Sequence, residues 1–532
     1  MQRLRRKTSD KATERLVVAA AKQGVDLNWD RYEQQVPMCG FGRLGVCCTA
    51  CTQGPCRVSP FDEAGKGTVC GRDRENIAAS VFLRLIAEGG VAHASYVQDL
   101  LGPQADKVLG TSRFPEWLKA EGTALESLGA APGSLPAEIF EAIRRASEGD
   151  VGDEAAYRSA LKVGLSGFLA LDAGLELGDA LNGSPQVQTV EVNLGALKPD
   201  RINVLLHGSL SPQVISVLTG GSAGEKVNFV GMCGGEALAP AGVSLLSNYG
   251  AQEAVLLSGL IDAVIVGKQC VTPGFKAAAA ELGVPLFPEA AVVETDDEGD
   301  CGLPPEIAAA AEKHYSARQH RKPRFEFPEV KATVGFDLKT FEAVSHQAWQ
   351  KLFQETGIPG LALVGGCNNA KETQDKVIVR RAQDLLAQGY LVVATGCAAA
   401  GLAKAGLLDP AGAQEYPAVS SFLEKLAGEA GTGSLPPVFH FGTCWETPRA
   451  LRFMKALEKA AGASLGLVAV FPEIARPAAW ATALALPSLG VVTTVGPVMP
   501  SGDPEGALTA VQAVLGREGL LRMTQEEVAA AR

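Results

Sequence analysis

The chain has 532 residues, 47% hydrophobic but only 6% aromatic, with 60 glycines and a net charge of −11. That length exceeds a single hydrophobic core and favours about three domains. The acidic balance excludes a general electrostatic attraction to nucleic acid or to an anionic membrane, and leaves small molecules and electron carriers as partners.

The N-terminal run MQRLRRKTSDKATERL is basic, but no apolar stretch follows it, so a secretory signal is not expected and a cytoplasmic protein is. The segments KATERLVVAAAKQG, RENIAASVFLRLIAEG and PAEIFEAIRRASEG space their apolar residues three and four apart, which predicts helices. Residues 1–182 therefore read as a helical domain, interrupted by a cysteine-rich loop from Cys39 to Cys70. After Asn182 the texture changes to short aliphatic runs, each ending in a glycine-containing turn and followed by a helical segment, which is the pattern of parallel α/β units. The runs are RINVLLHGS, KVNFVGMCGG, DAVIVGKQCVTPG, LALVGGCNN, YLVVATGCAAAG and PPVFHFGTCWE. The polar stretch from Glu294 to Arg324 separates three runs from three, so a boundary between two sheets is expected near 330. Residues 183–330 and 331–532 then form two Rossmann-like α/β domains. Neither sheet opens with G-x-G-x-x-G, so a nicotinamide cofactor is not indicated. The apolar stretch from Gly466 to Pro500 is broken by Glu473, Arg476 and prolines, so no membrane insertion is expected.

Twelve cysteines in a reducing compartment point to metals or catalysis rather than to disulfides. Six of them, Cys39, Cys47, Cys48, Cys51, Cys56 and Cys70, fall within 32 residues. Thiolates at such loop spacing suit iron–sulfur clusters or zinc. One four-ligand site leaves two thiols over: Cys48, Cys51, Cys56 and Cys70 are the natural four. Cys39 and Cys47 could complete a second cluster if a two-fold axis supplies the same pair from another subunit. Zinc with two idle thiols is the plainer alternative. Each of the six strand-like runs carries a His or Cys at or near its end, and ligands gather beyond the carboxyl ends of strands in open parallel sheets. Six such ends could converge on one site. Any one of these cysteines alone would more often be structural, and Cys301, in an acidic loop, reads as incidental.

The run MCGFGRLGVCCTACTQGPCRVSP, with intercysteine gaps of 7, 0, 2 and 4, then 13 to Cys70, followed by His93, closely resembles the N-terminal motif of anaerobic nickel-iron carbon monoxide dehydrogenases, siblings of the hybrid-cluster proteins. The resemblance implies a 4Fe-4S relay cluster on Cys48, Cys51, Cys56 and Cys70, and a cluster shared across a homodimer on Cys39 and Cys47. It further implies an active-site nickel, iron and sulfur cluster on His207, Cys233, Cys270, Cys367, Cys397 and Cys444, a proton-handling role for His93, and a ferredoxin-like electron partner. The reaction implied converts CO and water to CO2, two protons and two electrons.

Four departures from the family pattern fall on that chemistry. Only two residues separate Cys233 from Glu236, one fewer than the family spacing, so alignment on Glu236 puts Met232 at the ligand position and makes Glu236 a candidate oxygen ligand. No lysine follows Lys459, and the position of the family's active-site lysine falls near Thr482, with Arg476 the nearest cation. The family's histidine ladder continues here as Tyr96 and Asp99, and Ser166 stands nearest to its aspartate. Three readings follow: a carbon monoxide dehydrogenase with substituted acid–base groups, a reductase of hydroxylamine or a similar molecule on an iron–sulfur–oxygen hybrid cluster, and a non-catalytic relay or redox sensor.

Overall fold

The computed structural model describes residues 5–59, 67–111, 113–148, 153–220, 226–234, 243–293, 303–319, 325–462, 465–496, 504–516 and 518–523. The chain divides into two compact units: residues 1–33 with 176–466, and residues 34–175 with 467–532. Glu236 and Cys301 lie outside the described residues.

The first unit is a sheet dressed with helices. Helix α1 (Lys11–Gln23) opens it, its first turn capped by Asp10, which accepts from the Thr13 amide at 2.8 Å. Ten strands follow: β1 (Gln188–Val192), β2 (Ile202–His207), β3 (Val227–Met232), β4 (Ser244–Ser247), β5 (Ala263–Val266), β6 (Leu286–Pro288), β7 (Val330–Val334), β8 (Gly360–Val364), β9 (Leu391–Ala394) and β10 (Val438–His440). They form one sheet in the spatial order β8, β9, β10, β7, β1, β4, β3, β2, β5, β6. All six runs identified from sequence are strands in it. Every residue of β2, β8 and β9 is buried, as expected where helices cover both faces of parallel strands. The edge strand β6 is short and ends in Pro288, which blunts an edge that could otherwise pair with another chain.

The expected break near residue 330 is a seam rather than a gap between two sheets. β1 pairs antiparallel with β7 from Gln188 opposite Val334 to Val192 opposite Val330, whereas the other pairings within this sheet are parallel. Backbone hydrogen bonding thus joins the two halves, although sequence composition marks them as separate. The reversal has a consequence for the site: the carboxyl ends of β2, β3 and β5 point to the edge opposite those of β8, β9 and β10. Helix α7 (Gly396–Lys404) bridges this offset by packing against β1, β4 and β7 across the seam.

In the second unit, helices α2 (Arg74–Leu101), α3 (Leu135–Glu148) and α4 (Asp153–Asn182) account for the helical N-terminal texture, with α4 running on into the first unit. Helix α9 (Pro477–Ser488) packs so closely on α2 that a Cβ at Gly89 would stand 2.5 Å from the Pro477 carbonyl oxygen. Three parallel strands, β11 (Gly466–Phe471), β12 (Val492–Val495) and β13 (Leu521–Met523), complete it. By length and composition α2 could cross a membrane, but 61% of its most apolar window is buried, as in a core helix.

Candidate metal centres

The cysteine loop of the second unit folds around a cavity of about 430 Å³ whose lining includes the thiol-bearing residues Cys48, Cys51, Cys56 and Cys70. A two-residue antiparallel pairing, Cys48 opposite Cys56, fixes two of the four. Gly54 fits where a Cβ would stand 3.1 Å from both the Cys48 carbonyl oxygen and the Cys56 nitrogen, so a side chain there would press the loop's backbone outward by a few tenths of an ångström. The Thr68 hydroxyl lies 3.3 Å from the Cys70 sulfur and is the first cause holding that thiol below its ordinary pKa; the Arg72 amide assists. Arg72 is buried and anchors the loop by donating to the carbonyls of Ala146 and Ser147 at 3.0 and 3.2 Å. Four thiols around one cavity fit a cubane cluster.

Cys39 and Cys47 are not among that cavity's lining residues. Cys39 is exposed at the start of the short helix Gly40–Arg43, and the amides of Gly42 and Phe41 hold its thiol below the ordinary value.

In the first unit, β2, β3 and β5 lie in register, with His207 opposite Met232 on one side and Val266 on the other. His207 closes β2, Cys233 follows β3 by one residue, and Cys270 follows β5 by four. Both cysteines adopt left-handed backbone conformations, φ 56° at Cys233 and 67° at Cys270, which is uncommon for any residue but glycine and occurs where surrounding structure enforces it. Met232 stays in the strand, fully buried, and the chain turns at Cys233 and Gly234, leaving the thiol-bearing residue in the same core cluster as Cys270 and Cys397.

Cys367 and Cys397 each lie three residues beyond the paired ends Val364 and Ala394, and Cys444 lies four beyond His440, the partner of Ala394. Gly396, at φ 62°, lets Cys397 and Cys444 approach: a Cβ there would meet that of Cys444 at 2.9 Å. The segment following β4 joins the two halves. The Tyr249 amide donates to the Cys397 sulfur at 3.4 Å, and the Gly250 amide to Asn368, next to Cys367, at 3.1 Å. Gln252, from the same segment, lies 3.2 Å from His207 Nε2 and accepts from the Thr272 amide at 3.2 Å, two residues past Cys270. The six sequence-predicted residues therefore share one connected neighbourhood, assembled by residues 248–252 and α7 rather than by strand ends meeting at one edge.

Burial pushes His207 down to about 4, so its ring is neutral near pH 7. Both neighbours of the ring nitrogens, Gln252 Oε1 and the Met232 carbonyl at 3.5 Å, are acceptors, so one nitrogen donates and the other keeps a lone pair. Five thiols and one neutral imidazole form a soft donor set that fits iron and nickel. Among the described residues, no three His, Cys, Asp or Glu side chains close on one point as a single ion would require; a multi-metal cluster spreads its ligands more widely.

The Cys444 loop is held from behind. Glu446 accepts from the Thr443 amide at 2.7 Å, and Arg449 donates to Asp179 at 2.6 and 2.9 Å and to Asp337 at 2.8 Å, while lying 3.7 Å from Glu446. Burial raises the Glu446 pKa, and Arg449 opposes that shift.

His93, on α2, is fully buried. Its Nε2 lies 3.2 Å from the Ala478 carbonyl oxygen and 3.2 Å from the Thr482 hydroxyl, so the residue aligned with the missing lysine touches this imidazole directly. Burial lowers His93 to about 4. Since a carbonyl can only accept, Nε2 carries the proton of the neutral ring and Nδ1 the lone pair, beside Gly167, where a Cβ would intrude to 2.3 Å. Ser166 is buried against the carbonyls of Gly133 and Lys162, at 3.1 and 2.8 Å. Tyr96 is buried and Asp99 half-buried on the same helix.

Sequence reasoning missed Gln252, Asn248, Asn368, Asp375 and Lys404, which support the loops that carry His207, Cys367 and Cys397. A usable signal was present in CAAAGLAK: a lone lysine seven residues after a cysteine in an otherwise apolar helix.

The model of the Prismane/CO dehydrogenase family matches residues 104–514. Carbon monoxide dehydrogenase 1 of Carboxydothermus hydrogenoformans is 29% identical over 578 residues, covering 92% of this chain and 90% of its own. The carbon monoxide dehydrogenase of Rhodospirillum rubrum is 29% identical over 577 residues, with the same coverage. The solved structure of carbon monoxide dehydrogenase IV from Carboxydothermus hydrogenoformans superposes with a TM-score of 0.83 at 26% identity, covering 99% of this chain and 98% of that one.

Proposed function

Because the chain belongs to the Prismane/CO dehydrogenase family, we propose that it is an iron–sulfur oxidoreductase of the carbon monoxide dehydrogenase type, with its active cluster held by His207, Cys233, Cys270, Cys367, Cys397 and Cys444. The observation that best supports this ligand set is the shared neighbourhood described above, in which Tyr249 touches the Cys397 sulfur while Gln252 touches His207 and the turn after Cys270. The relatives compared above are all carbon monoxide dehydrogenases, which favours CO over hydroxylamine as substrate.

A nickel-iron-sulfur cluster at that site would supply the open metal coordination and the electron sink for converting CO and water to CO2, two protons and two electrons. The protein's own residues do the rest. The five thiols and the neutral His207 imidazole would hold the metals, with Gln252 orienting the ring. His93 Nδ1 is the proton acceptor, its ring fixed by the Nε2–H donated to Ala478. No lysine follows Lys459 in the sequence, and Thr482, at the aligned position, serves as a neutral hydrogen-bonding neighbour of His93. Cys48, Cys51, Cys56 and Cys70 would hold the relay cluster, and Cys39 and Cys47, with the same pair from a second copy, would hold a bridging cluster, which together would supply an electron path towards a ferredoxin-like acceptor. The division into a helical domain and two Rossmann-like domains belongs to this proposal. So does a cytoplasmic setting, where reducing conditions disfavour disulfides; the eleven cysteines among the described residues form no disulfide with one another.

The test is CO-dependent viologen reduction by protein purified without oxygen. Turnover that is lost in Cys397→Ser supports the assignment; hydroxylamine reduction without CO oxidation would overturn it.

A further inference from the structure

Beside Cys397 and Cys367 lies a buried polar network. Lys404 closes α7, its side chain 3% exposed, and its ammonium sits 2.6 Å from Asp375 Oδ2, which is equally buried. Asp375 Oδ1 accepts from Asn248 Nδ2 at 2.7 Å and from Asn368 Nδ2 at 3.0 Å. Asn248 Oδ1 accepts from Gln374 at 2.6 Å and from Lys404 at 3.4 Å, and Asn248 Nδ2 also reaches the Cys397 carbonyl at 3.2 Å. Every atom of the Asn248 amide is thus spoken for.

Three features of this network run against ordinary stability. A buried ion pair repays its desolvation poorly. Asp375 holds φ 64°, a left-handed conformation that is strained for a residue other than glycine. Gly401 leaves room that a side chain would take, since a Cβ there would stand 2.8 Å from Asp375 Oδ1. What the arrangement secures is the backbone immediately after Asn248, where the Tyr249 amide donates to the Cys397 sulfur at 3.4 Å. An N–H directed at a cluster thiolate favours the more electron-rich, reduced state, and so raises the reduction potential.

Resting on the reading that Cys397 ligates a redox cluster, we propose that Lys404, Asp375 and Asn248 are positioning residues that hold the Tyr249 amide on the Cys397 sulfur and thereby raise the potential of the active cluster. In this role Lys404 and Asp375 act through their hydrogen bonds to Asn248.

The experiment is potentiometry followed by electron paramagnetic resonance on the anaerobically purified, metal-loaded protein, comparing wild type with Asn248→Ala and with the double variant Lys404→Met/Asp375→Leu, which removes the ion pair as a unit. Loss of one hydrogen bond to the sulfur predicts that, at the wild-type midpoint of the active cluster, the ratio of reduced to oxidised cluster falls about fivefold. The midpoints of the N-terminal clusters stay fixed and serve as the internal control. Lys404→Arg keeps the charge and retains most of the wild-type potential. An Asn248→Ala protein with wild-type metal content and an unmoved active-cluster midpoint overturns the proposal, and if that variant fails to fold the double variant decides by the same reading. Wild-type protein holding iron only in the N-terminal loop would instead refute the ligand assignment beneath it, which metal analysis of the same sample reveals.

Discussion

Replacing Gln252 with leucine tests how the histidine ligand is held. Gln252 is 2% exposed, and its Oε1 is the acceptor for the Thr272 amide at 3.2 Å and the Thr272 hydroxyl at 3.1 Å, and the neighbour of His207 Nε2, while its Nε2 donates to the Tyr249 carbonyl at 3.1 Å. Leucine fills the volume but makes none of these bonds. The Thr272 hydroxyl can turn away, since its oxygen already accepts from the Phe275 amide, and the ring can move its proton to Nδ1, facing the Met232 carbonyl. The Thr272 amide and the Tyr249 carbonyl, both on partly buried residues, each lose the bond to Gln252, and losing two such hydrogen bonds costs about 1–3 kcal/mol. Moving the ring proton also changes which nitrogen is available to the metal, and losing the partner of a metal-bound histidine weakens metal affinity about 10–100-fold. Urea denaturation of the metal-free chain reads the first effect, and nickel and iron retention under a graded chelator challenge reads the second. A Gln252→Leu protein that keeps wild-type metal retention would show that Gln252 does not orient a ligand.

Gly167→Ala pushes a methyl group into the space 2.3 Å from His93 Nδ1, so CO oxidation should fall at least about 100-fold, the range for loss of a general base, with metal content unchanged; wild-type turnover would remove His93 from the mechanism. Acid should destabilise the chain well above pH 4. His93 and His440 are fully buried and lowered from 6.5 to about 4, so between those values the unfolded chain binds protons that the native one does not. Stability is complete above 6.5 and declines as pH falls towards 4, by up to about 3 kcal/mol per histidine, and His440→Gln should flatten the slope of urea midpoint against pH. Changing Cys39 and Cys47 together to serine should remove one cluster per dimer and leave the active-site metals in place; unchanged iron content would refute the shared cluster.

Much of this was legible in the sequence, because the signals are local. Largely apolar runs followed by a glycine-containing turn with a His or Cys near it mark β2, β3, β5, β8, β9 and β10, and the N-terminal spacing brings four cysteines around one cavity. The antiparallel seam was not legible. QTVEV and VKATV are half-polar and pair across more than a hundred residues, and nothing within either segment specifies the partner. The same reversal separates the strand ends that sequence reasoning would bring to one edge, and their reunion through Tyr249, Gly250 and Gln252 depends on hydrogen bonds to loops distant in sequence. The left-handed turn at Cys233, with Met232 kept in the strand, was not legible either, because sequence spacing specifies neither φ nor where a strand ends. Lys404 and Asp375 escape for a related reason: a charge in a short loop or helix usually reads as solvated until its partner is placed.

The central claim is that a nickel-containing cluster occupies the six-residue site. The most direct measurement is nickel X-ray absorption, with nickel and iron quantified, on wild type and Cys397→Ser proteins matured anaerobically with nickel. The account predicts stoichiometric nickel in a sulfur-rich environment in the wild type, lost in the variant while N-terminal iron remains. Wild-type protein with full iron and no sulfur-bound nickel would contradict it.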